Sequence, residues 1–271
     1  MLTKLLKTFR QAQAHRQSLT ILRTFFSAYY QKHNLARLVH LRSLGLEIQG
    51  KRVLEIGAGV GDHTLFYLYQ GCTILPTDGR PELVAFLQQR LGVEARVLDV
   101  DTEPQSLKKL GTFDILHCYG LLYHLAHPES FLANAAEVTD MLFLETCLTH
   151  PSRRQTETTA DAALVAENPQ DPSQALHSIG CRPTREWVFD TLRKYFPYVY
   201  CPRTQPQHPE FPLSWEATDC LKTALTRAVF IASHKPIQNK MLVEKLPDRY
   251  DQSNSTGSVH KRSGGISAGA I

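Results

Sequence analysis

Glycines at alternate positions follow an acidic side chain in residues 53–64, a spacing that is suited to binding a nucleotide. An apolar run has Glu55 near its end, and Gly57, Gly59 and Gly61 follow it. Glycines at such positions let the backbone turn tightly and let a ligand approach the main chain. A predicted helix begins next, and its free N–H groups favour an anionic or polar ligand. The segment therefore predicts a nucleotide site, although a turn without a ligand also uses glycine.

The spacing of these glycines separates the classes of nucleotide cofactor. A dinucleotide site of the G-x-G-x-x-G type that begins at Gly57 requires a glycine at position 62, where this chain has Asp62. A P-loop requires Gly-Lys-Ser/Thr, which this segment lacks. The pattern here is E-x-G-x-G-x-G, so a nicotinamide-dependent oxidoreductase is disfavoured.

Acidic residues also follow the next two predicted strands. Asp78 ends the second strand, where a carboxylate can accept hydrogen bonds from both hydroxyls of a ribose. It could equally cap the helix that begins at Pro81, and the sequence leaves both roles open. The third strand leads into residues 99–101, which have the sequence Asp-Val-Asp.

This series of motifs closely resembles the class I S-adenosylmethionine-dependent methyltransferases, and about residues 45–147 carry the match. The resemblance implies a Rossmann-like fold with a seven-stranded sheet, and S-adenosylmethionine as the cofactor. It also implies that Asp99, in preference to Asp101, binds the adenine together with the N–H of Val100. The fourth strand would then end beside the methionine part of the cofactor. The predicted cofactor-binding residues are Glu55, Gly57, Gly59, Gly61, Asp78, Asp99, Val100 and Tyr119.

Residues 120–125, Gly-Leu-Leu-Tyr-His-Leu, look most like one branch of that family. The branch contains tRNA wobble-uridine carboxymethyl transferases and many uncharacterised relatives. A tRNA-modifying transferase is therefore one alternative, although no basic groove studded with aromatic residues supports a nucleic-acid acceptor. Another alternative is a regulatory or scaffold protein of the same fold that binds the cofactor without turnover.

The segment after the fourth strand also bears on the methyl acceptor. It lacks the Asn-Pro-Pro-Tyr/Phe type of motif used on nitrogen and the Pro-Cys pair used on cytosine carbon. The sequence therefore predicts transfer to oxygen or to an activated carbon, on a small-molecule or glycan-like acceptor. Because methyl transfer from a sulfonium is an in-line displacement, the protein mainly aligns donor and nucleophile and excludes water.

His124 is the first candidate for a general base, because an imidazole has an unperturbed pKa close to neutral pH. It follows the fourth strand by a few residues, in the loop expected to face the transferring methyl group. Alternatively, its side chain only hydrogen-bonds and shapes that loop. Glu145, His208 and Glu210 are the other candidates for the role.

Short apolar runs alternate with helical segments from residue 51 onward, a pattern that predicts a doubly wound, mostly parallel α/β sheet. Strands are predicted at residues 53–56, 73–75, 95–98, 113–118, 141–144, near 198–201 and at 228–233. Helices are predicted at residues 61–70, 81–91, 128–138 and 184–195. These elements would bring the ends of the parallel strands, and hence the acidic and glycine motifs, to one edge.

Residues 1–46 are a basic segment with no acidic residue before Glu47, and their apolar spacing predicts two or three amphipathic helices. These helices would either cap the cofactor site or guide nucleic acid or an anionic lipid surface. Residues 47–250 are the predicted methyltransferase domain, with a polar, proline-rich, acceptor-side insertion at about residues 147–183. Residues 251–271 are rich in serine and glycine and are predicted to be a disordered tail.

The composition is 42% hydrophobic and 21% charged, which is typical of a globular protein and unlike a disordered or collagen-like chain. No run approaches the ~18 uninterrupted apolar residues of a membrane span. The six cysteines are scattered without a Cys-x-x-Cys pair, which indicates buried thiols in a reducing compartment such as the cytoplasm. Cys147, His150, His177 and Cys181 lack the spacing of a zinc site, so no metal is predicted.

Overall fold

A computed structural model describes residues 16, 18–153 and 162–252 of the chain. Residues 18–25 are helical, and the helix α1 (Ala28–Ser43) follows them. The N-cap of α1 is Ser27, whose side chain accepts a hydrogen bond from the N–H of Tyr30. The predicted N-terminal helices are thus present at residues 18–43, whereas the part of that prediction before residue 16 lies outside the described residues.

The centre of the fold is an eight-stranded sheet with the order β10-β8-β9-β5-β4-β1-β2-β3. Its strands are β1 (Arg52–Ile56), β2 (Thr73–Asp78), β3 (Arg96–Val97), β4 (Phe113–Tyr119), β5 (Thr139–Leu148), β8 (Tyr198–Pro202), β9 (Thr226–Ser233) and β10 (Leu242–Val243). A separate two-stranded sheet pairs β6 (Ala162–Ala166) with β7 (Ile179–Pro183). The helices after α1 are α2 (Asp62–Tyr69), α3 (Pro81–Leu91), α4 (Pro128–Ala136), α5 (Arg185–Tyr195) and α6 (Ala217–Cys220).

Successive residues of the central strands point to opposite sides of the large sheet, and both sides carry apolar residues. Helices therefore cover both faces. Leu54 of β1 lies in the apolar core that also contains Phe131 of α4 and residues of α5. Val53, one residue earlier, lies in the other core with Leu41 of α1 and Tyr67 of α2. This arrangement confirms the predicted Rossmann-like, doubly wound α/β fold.

The parallel strands end together at one edge of the sheet. β1 pairs in parallel with β2 and β4, and β4 pairs in parallel with β5. The register aligns Ile56 of β1 with Thr77 of β2, and Tyr119 of β4 with Glu145 of β5. The residues that directly follow these strands therefore converge, and this is where an open α/β sheet binds ligands.

The sheet has one strand more than the seven that were expected. The additional strand is β10, in which Leu242 and Val243 pair antiparallel with Pro202 and Cys201 of β8. A strand of two residues has too few positions to show an alternating pattern, so the sequence gives no signal for it. The remaining seven strands follow the predicted order along the chain.

The predicted insertion contains the hairpin formed by β6 and β7, whose connecting loop is residues 167–178, named the hairpin loop below. β7 packs against the short 3-10 turn Leu122–His124 that follows β4. The Cys181 thiol donates to the carbonyl of Leu122 at 3.5 Å, and Arg182 donates to the carbonyl of Tyr123 at 3.1 Å. The insertion therefore lies directly beside the loop that was expected to face the transferring methyl group.

Two further features of the described residues bear on the sequence predictions. Among the described residues, no helix is long and apolar enough to cross a membrane. Asp251, the first residue of the predicted tail, donates its N–H to the carbonyl of Arg203 at 2.7 Å, so pairing extends to this residue. Residues 253–271 of the tail lie outside the described residues.

Candidate active site

A cavity opens at the carboxyl ends of β1, β2, β3 and β4. Its floor is formed by residues that directly follow these strands, including Gly57, Asp78 and Asp99. One wall comes from α1, through residues such as Arg37, and the hairpin loop contributes residues 172–174 and 176 to another part of the lining. The N-terminal helices and the insertion thus both enclose a site that the sheet edge positions.

The three glycines after β1 have positive φ angles and two different environments. Gly57 and Gly59, at +72° and +55°, line the cavity. Gly61, at +85°, is the N-cap of α2 and is not part of the lining. A Cβ there would lie 2.7 Å from Cδ1 of Leu91 in α3. Gly61 therefore lets two helices approach each other, whereas Gly57 and Gly59 lie on the cavity lining, where an added Cβ would contact Leu121 and Phe25.

Asp78 lies at the end of β2, on the cavity lining. Its Oδ2 accepts the N–H of Gly59 at 3.0 Å, and its Oδ1 accepts the N–H of Arg80 at 2.9 Å. Burial raises the pKa of Asp78, although these two N–H groups oppose the shift. The N-cap of α3 is Arg80, and no side chain caps this helix, so the capping alternative is not what the structure shows. Each carboxylate oxygen retains capacity to accept a ribose hydroxyl.

The two acidic residues after β3 have different surroundings. Asp101 is buried and accepts the backbone N–H groups of Ala126 and His127 at 3.0 and 2.8 Å, so it holds the loop before α4. Both acids and Val100 line the cavity, and Asp99, whose side chain is the more exposed, accepts hydrogen bonds from the Thr102 hydroxyl at 2.6 Å and from His177 Nε2 at 2.7 Å. The preference for Asp99 over Asp101 as the ligand-binding acid stays a prediction.

Glu55 and Tyr119 lie deep beneath the glycine turn. The Glu55 carboxyl is almost completely buried and accepts a hydrogen bond from the Thr64 hydroxyl. Burial raises the pKa of Glu55 to about 8, so the group retains a proton at neutral pH. Tyr119, at the end of β4, is buried as well, and its hydroxyl has no hydrogen-bond partner in the described part of the chain.

Four buried polar atoms of cavity-lining residues have no hydrogen-bond partner among residues 16, 18–153 and 162–252. They are His33 Nε2, Arg37 Nε, His63 Nε2 and Tyr119 Oη. An unpaired buried donor or acceptor costs on the order of 1–3 kcal/mol, so such atoms are rare without a ligand or water. The part of the lining that these four residues form, called the polar wall below, is therefore suited to a polar ligand.

His124 lies on the cavity lining and is paired with a carboxylate of the hairpin loop. Its Nδ1 is 2.5 Å from Oε2 of Glu167, which also accepts the N–H of Ala175 at 2.7 Å. The other oxygen of Glu167 accepts a hydrogen bond from Arg182 at 2.9 Å. Nε2 of His124 has no hydrogen-bond partner in the described residues. The side chain thus hydrogen-bonds to the insertion, and its ring also lies against Tyr123 of its own loop, with 3.9 Å between the ring centroids.

The ionisation of this pair follows from its surroundings. Burial lowers the pKa of His124 below its usual value, and Glu167 only partly opposes this because Arg182 already neutralises its charge. Burial opposes the ionisation of Glu167, but its hydrogen bonds outweigh this and lower its pKa to about 2. At neutral pH the pair is a neutral imidazole beside a carboxylate, with Nε2 able to accept a proton.

Glu145 is completely buried at the end of β5 and holds two arginines. One carboxylate oxygen accepts a hydrogen bond from Arg37, and the other accepts one from Arg227 at 3.1 Å. Arg227 also donates to Tyr123 Oη at 3.1 Å. Glu145 is not part of the cavity lining, so it positions arginines and is poorly placed to take a proton from an acceptor.

His208 and Glu210 lie behind the α1 wall and are not part of the cavity lining. The His208 ring stacks on His33 with 4.6 Å between the ring centroids. Glu210 accepts hydrogen bonds from Arg227 Nε at 2.7 Å and from the Tyr29 hydroxyl. Neither of these two candidate bases is as well placed as His124.

Ligand atoms of His33, His208 and Glu210 lie within 4.8 Å of one another, which is close enough to consider a metal ion. Both oxygens of Glu210 already accept hydrogen bonds. Burial first, and then the positive charges of Arg37 and Arg227, lower the pKa of His33. The same positive potential would repel a metal cation, so this cluster is unfavourable for one. The absence of a metal stays a prediction.

The sequence predictions missed three residues that shape this site. Glu167 lies in a polar, proline-containing segment, where no periodicity singles it out. Arg37 lies 108 positions before its partner Glu145. Arg80 follows Asp78 and donates to the carbonyl oxygens of residues 169, 171 and 174 in the hairpin loop. Only the position of Arg80, directly after the second strand, offered a local signal.

Comparison with known proteins agrees with this geometry. A family model described as a methyltransferase domain matches residues 27–211. No curated protein sequence matches the chain significantly. Among solved structures, the chain is similar to the N-terminal domain of EvdMO1, which was crystallised in the presence of S-adenosylhomocysteine (SAH) and D-fucose. The two are 25% identical, with a TM-score of 0.56, over 77% of this chain and 85% of that one.

Two further solved structures share the fold at lower identity. Magnesium protoporphyrin IX methyltransferase (ChlM) from Synechocystis PCC 6803, solved with bound SAM, is 13% identical with a TM-score of 0.52. The match covers 84% of this chain and 96% of that one. An S-adenosylmethionine-dependent methyltransferase from Mesorhizobium loti is 13% identical with a TM-score of 0.50. That match covers 73% of this chain and 97% of that one.

Proposed function

Because the chain belongs to the family of methyltransferase domains, we propose that it methylates a hydroxyl group of a small-molecule or glycan-like acceptor. The protein is an S-adenosylmethionine-dependent methyltransferase, as the sequence predicts. The observation that carries the proposal of a hydroxyl acceptor is the pair of His124 and Glu167 at the cavity, in which Nε2 of His124 has no hydrogen-bond partner within the described part of the chain.

We assign the lining of the cavity to S-adenosylmethionine part by part. The backbone at Gly57 and Gly59 would lie against the cofactor, Asp78 would accept the ribose hydroxyls, and Asp99 with Val100 would contact the adenine. The polar wall would meet the amino-acid part. When bound, S-adenosylmethionine supplies a methyl group on a positively charged sulfur. Asn34 and Arg37 on the cavity lining support the proposal that residues 1–46 cap the site.

The pair acts on the proton of the acceptor. His124 Nε2 would take the proton from the acceptor hydroxyl as the oxygen forms its bond to the methyl carbon and the bond from that carbon to sulfur breaks, which leaves SAH. Glu167 holds Nδ1–H and stabilises the imidazolium that forms, while Arg182 keeps the Glu167 carboxylate in place. His124 becomes neutral again when it releases the proton to water.

Two observations support a small, hydroxylated acceptor. The cavity is lined by residues of α1 and of the hairpin loop, and a structural relative was crystallised with a sugar. The EvdMO1 N-terminal domain was crystallised with D-fucose, so 6-deoxyhexoses and other hydroxylated small molecules are the first acceptors to test. The resemblance of residues 120–125 to the tRNA-modifying branch stays a prediction, as does residence in the cytoplasm. A methyl-transfer assay with matched hydroxyl and amino acceptors tests the proposal, and turnover of amino acceptors alone would refute it.

The cofactor is expected to stabilise the folded chain. A ligand that binds only the folded state adds about 2.7 kcal/mol to its stability at a hundredfold excess over Kd. The melting temperature should therefore rise when SAH is added, and adenosine alone should have a smaller effect. An unchanged melting temperature at millimolar SAH would contradict cofactor binding. Binding without release of SAH from S-adenosylmethionine with any acceptor would instead indicate the regulatory or scaffold alternative.

Asp78→Ala is expected to weaken SAH binding by about 1–3 kcal/mol, because two ribose hydroxyls lose their acceptor. Titration calorimetry measures this loss. Asp114→Ala is the matched control, since Asp114 also accepts a backbone N–H, that of Arg52 at 2.7 Å, but is not part of the cavity lining. Equal SAH affinity in the two variants would show that Asp78 only supports the turn.

A further inference from the structure

Three buried side chains form a hydrogen-bonded chain from the core to the cavity wall. The Tyr67 hydroxyl lies 2.9 Å from Nδ1 of His117, and Nε2 of His117 lies 2.8 Å from Nδ1 of His63. Tyr67 and His63 are one turn apart on α2, and His117 is on β4. Tyr67 is 0% exposed, His117 is 1% exposed and His63 is 7% exposed, and of the three only His63 lies on the cavity lining. At the cavity end of this series of hydrogen bonds, Nε2 of His63 has no hydrogen-bond partner in the described residues.

The buried hydroxyl of Tyr67 determines the direction of these hydrogen bonds. It has no described partner other than His117, so its hydrogen can only be donated to Nδ1 of that imidazole. The reverse direction would leave a buried O–H without an acceptor, at a cost of about 1–3 kcal/mol. The proton of His117 is then on Nε2 and is donated to Nδ1 of His63. His63 therefore carries its own proton on Nε2.

Both imidazoles are neutral at neutral pH, so the direction does not change there. Burial, and then the charge of Arg37, lower the pKa of His63 to about 3. Burial lowers the pKa of His117 as well. His63 thus contributes one N–H donor, with no lone pair available, to the cavity lining that also contains the unpaired Nε of Arg37.

Two unpaired donors on the same lining favour a ligand group that accepts hydrogen bonds, and a carboxylate forms stronger hydrogen bonds than a neutral acceptor. We propose that Tyr67 and His117 are positioning residues that fix His63 as an N–H donor to the carboxylate of the cofactor's amino-acid part. The proposal rests on the proposed function, because that carboxylate belongs to S-adenosylmethionine. His63 contacts the cofactor, and the other two residues act through it.

The experiment compares two nucleosides that differ in this group. SAH carries the carboxylate, whereas 5′-methylthioadenosine lacks the whole amino-acid part. His63→Ala is expected to raise the Kd of SAH about 10–100-fold, as for the loss of a hydrogen bond to a charged group. Tyr67→Phe frees the tautomer of His117 and should raise it about 3–10-fold. The Kd of 5′-methylthioadenosine should change less than twofold in both variants.

A second measurement does not depend on a variant that folds. Nitrogen-15 NMR of the unmodified chain should show the proton of His63 on Nε2 at pH 7, and a proton on Nδ1 would overturn the proposal. Tyr69→Phe is the matched control on the same helix, because Tyr69 is 82% exposed, and its affinities should equal those of the parent. If the variants weaken the binding of SAH and of 5′-methylthioadenosine equally, or weaken neither, the assignment of His63 to the carboxylate is wrong. If the parent chain binds neither nucleoside, the proposed function fails instead.

Discussion

Replacing His124 with alanine is expected to lower the turnover number about 10²–10⁴-fold, the range usual for the loss of a general base. The Kd of SAH should stay within about threefold of the parent value, because Asp78 and Asp99 hold the nucleoside elsewhere in the cavity. Steady-state rates with an identified acceptor, together with calorimetric titration of SAH, measure the two quantities.

His127→Ala is the control for this variant. His127 lies on the same loop, but its side chain is 65% exposed and is not part of the cavity lining, so turnover should be unchanged. If His124→Ala retains turnover within a few-fold of the parent, His124 is not the base. Attention would then move to Glu145, His208 and Glu210, despite their positions behind the wall.

The pH profile gives an independent check on the same residue. Turnover requires neutral His124, so the rate should rise with pH through the pKa of this group and reach a plateau above it. Because burial lowers that pKa, the midpoint of this rise should lie below about pH 6.5, the usual value for histidine. Glu167→Gln removes a group that raises the pKa of His124, so the acid limb should move to still lower pH and the plateau rate should fall. An unchanged profile in Glu167→Gln would contradict the positioning role.

The floor of the site could be predicted from the sequence because its signals are local. Gly57, Asp78 and Asp99 each follow a short apolar strand, and parallel strands end at one edge of a sheet. Residue type and position relative to a strand end were therefore sufficient. Gly61 shows the limit of this argument, since its spacing is the same but its small size is needed against Leu91.

The walls of the site could not be predicted because their contacts join distant segments. His124 and Glu167 are 43 positions apart, and Arg37 and Glu145 are 108 positions apart. No periodic pattern relates such pairs, and the insertion itself lacks the alternation that marks an element. Glu145 was a reasonable candidate base by type and place, but the two arginines that hold its oxygens cannot be read from a sequence.

Glu145→Gln is expected to lower the free energy of unfolding by about 3–5 kcal/mol, the usual cost of removing one partner from a buried ion pair. The glutamine keeps the shape of the side chain but removes the negative charge between Arg37 and Arg227. Its amide group would also direct N–H donors at a guanidinium, which only donates. In a chain of this size the loss corresponds to a fall of roughly 6–20 °C in the melting temperature. Chemical denaturation with urea measures the free energy directly.

The comparison with a surface pair separates this structural role from a catalytic one. Glu129 contacts Lys194 at 2.8 Å in an exposed ion pair, so Glu129→Gln should leave the melting temperature nearly unchanged, because solvent screens such pairs. At saturating cofactor and well below its melting point, folded Glu145→Gln should retain most of the turnover, because Glu145 itself is not part of the cavity lining, whereas the arginines that it holds are. A variant as stable as the parent but without turnover would instead place Glu145 in the chemistry. We expect a loss of stability with retained turnover, because the Glu145 carboxylate holds the two arginines, whereas His124 takes the proton of the acceptor.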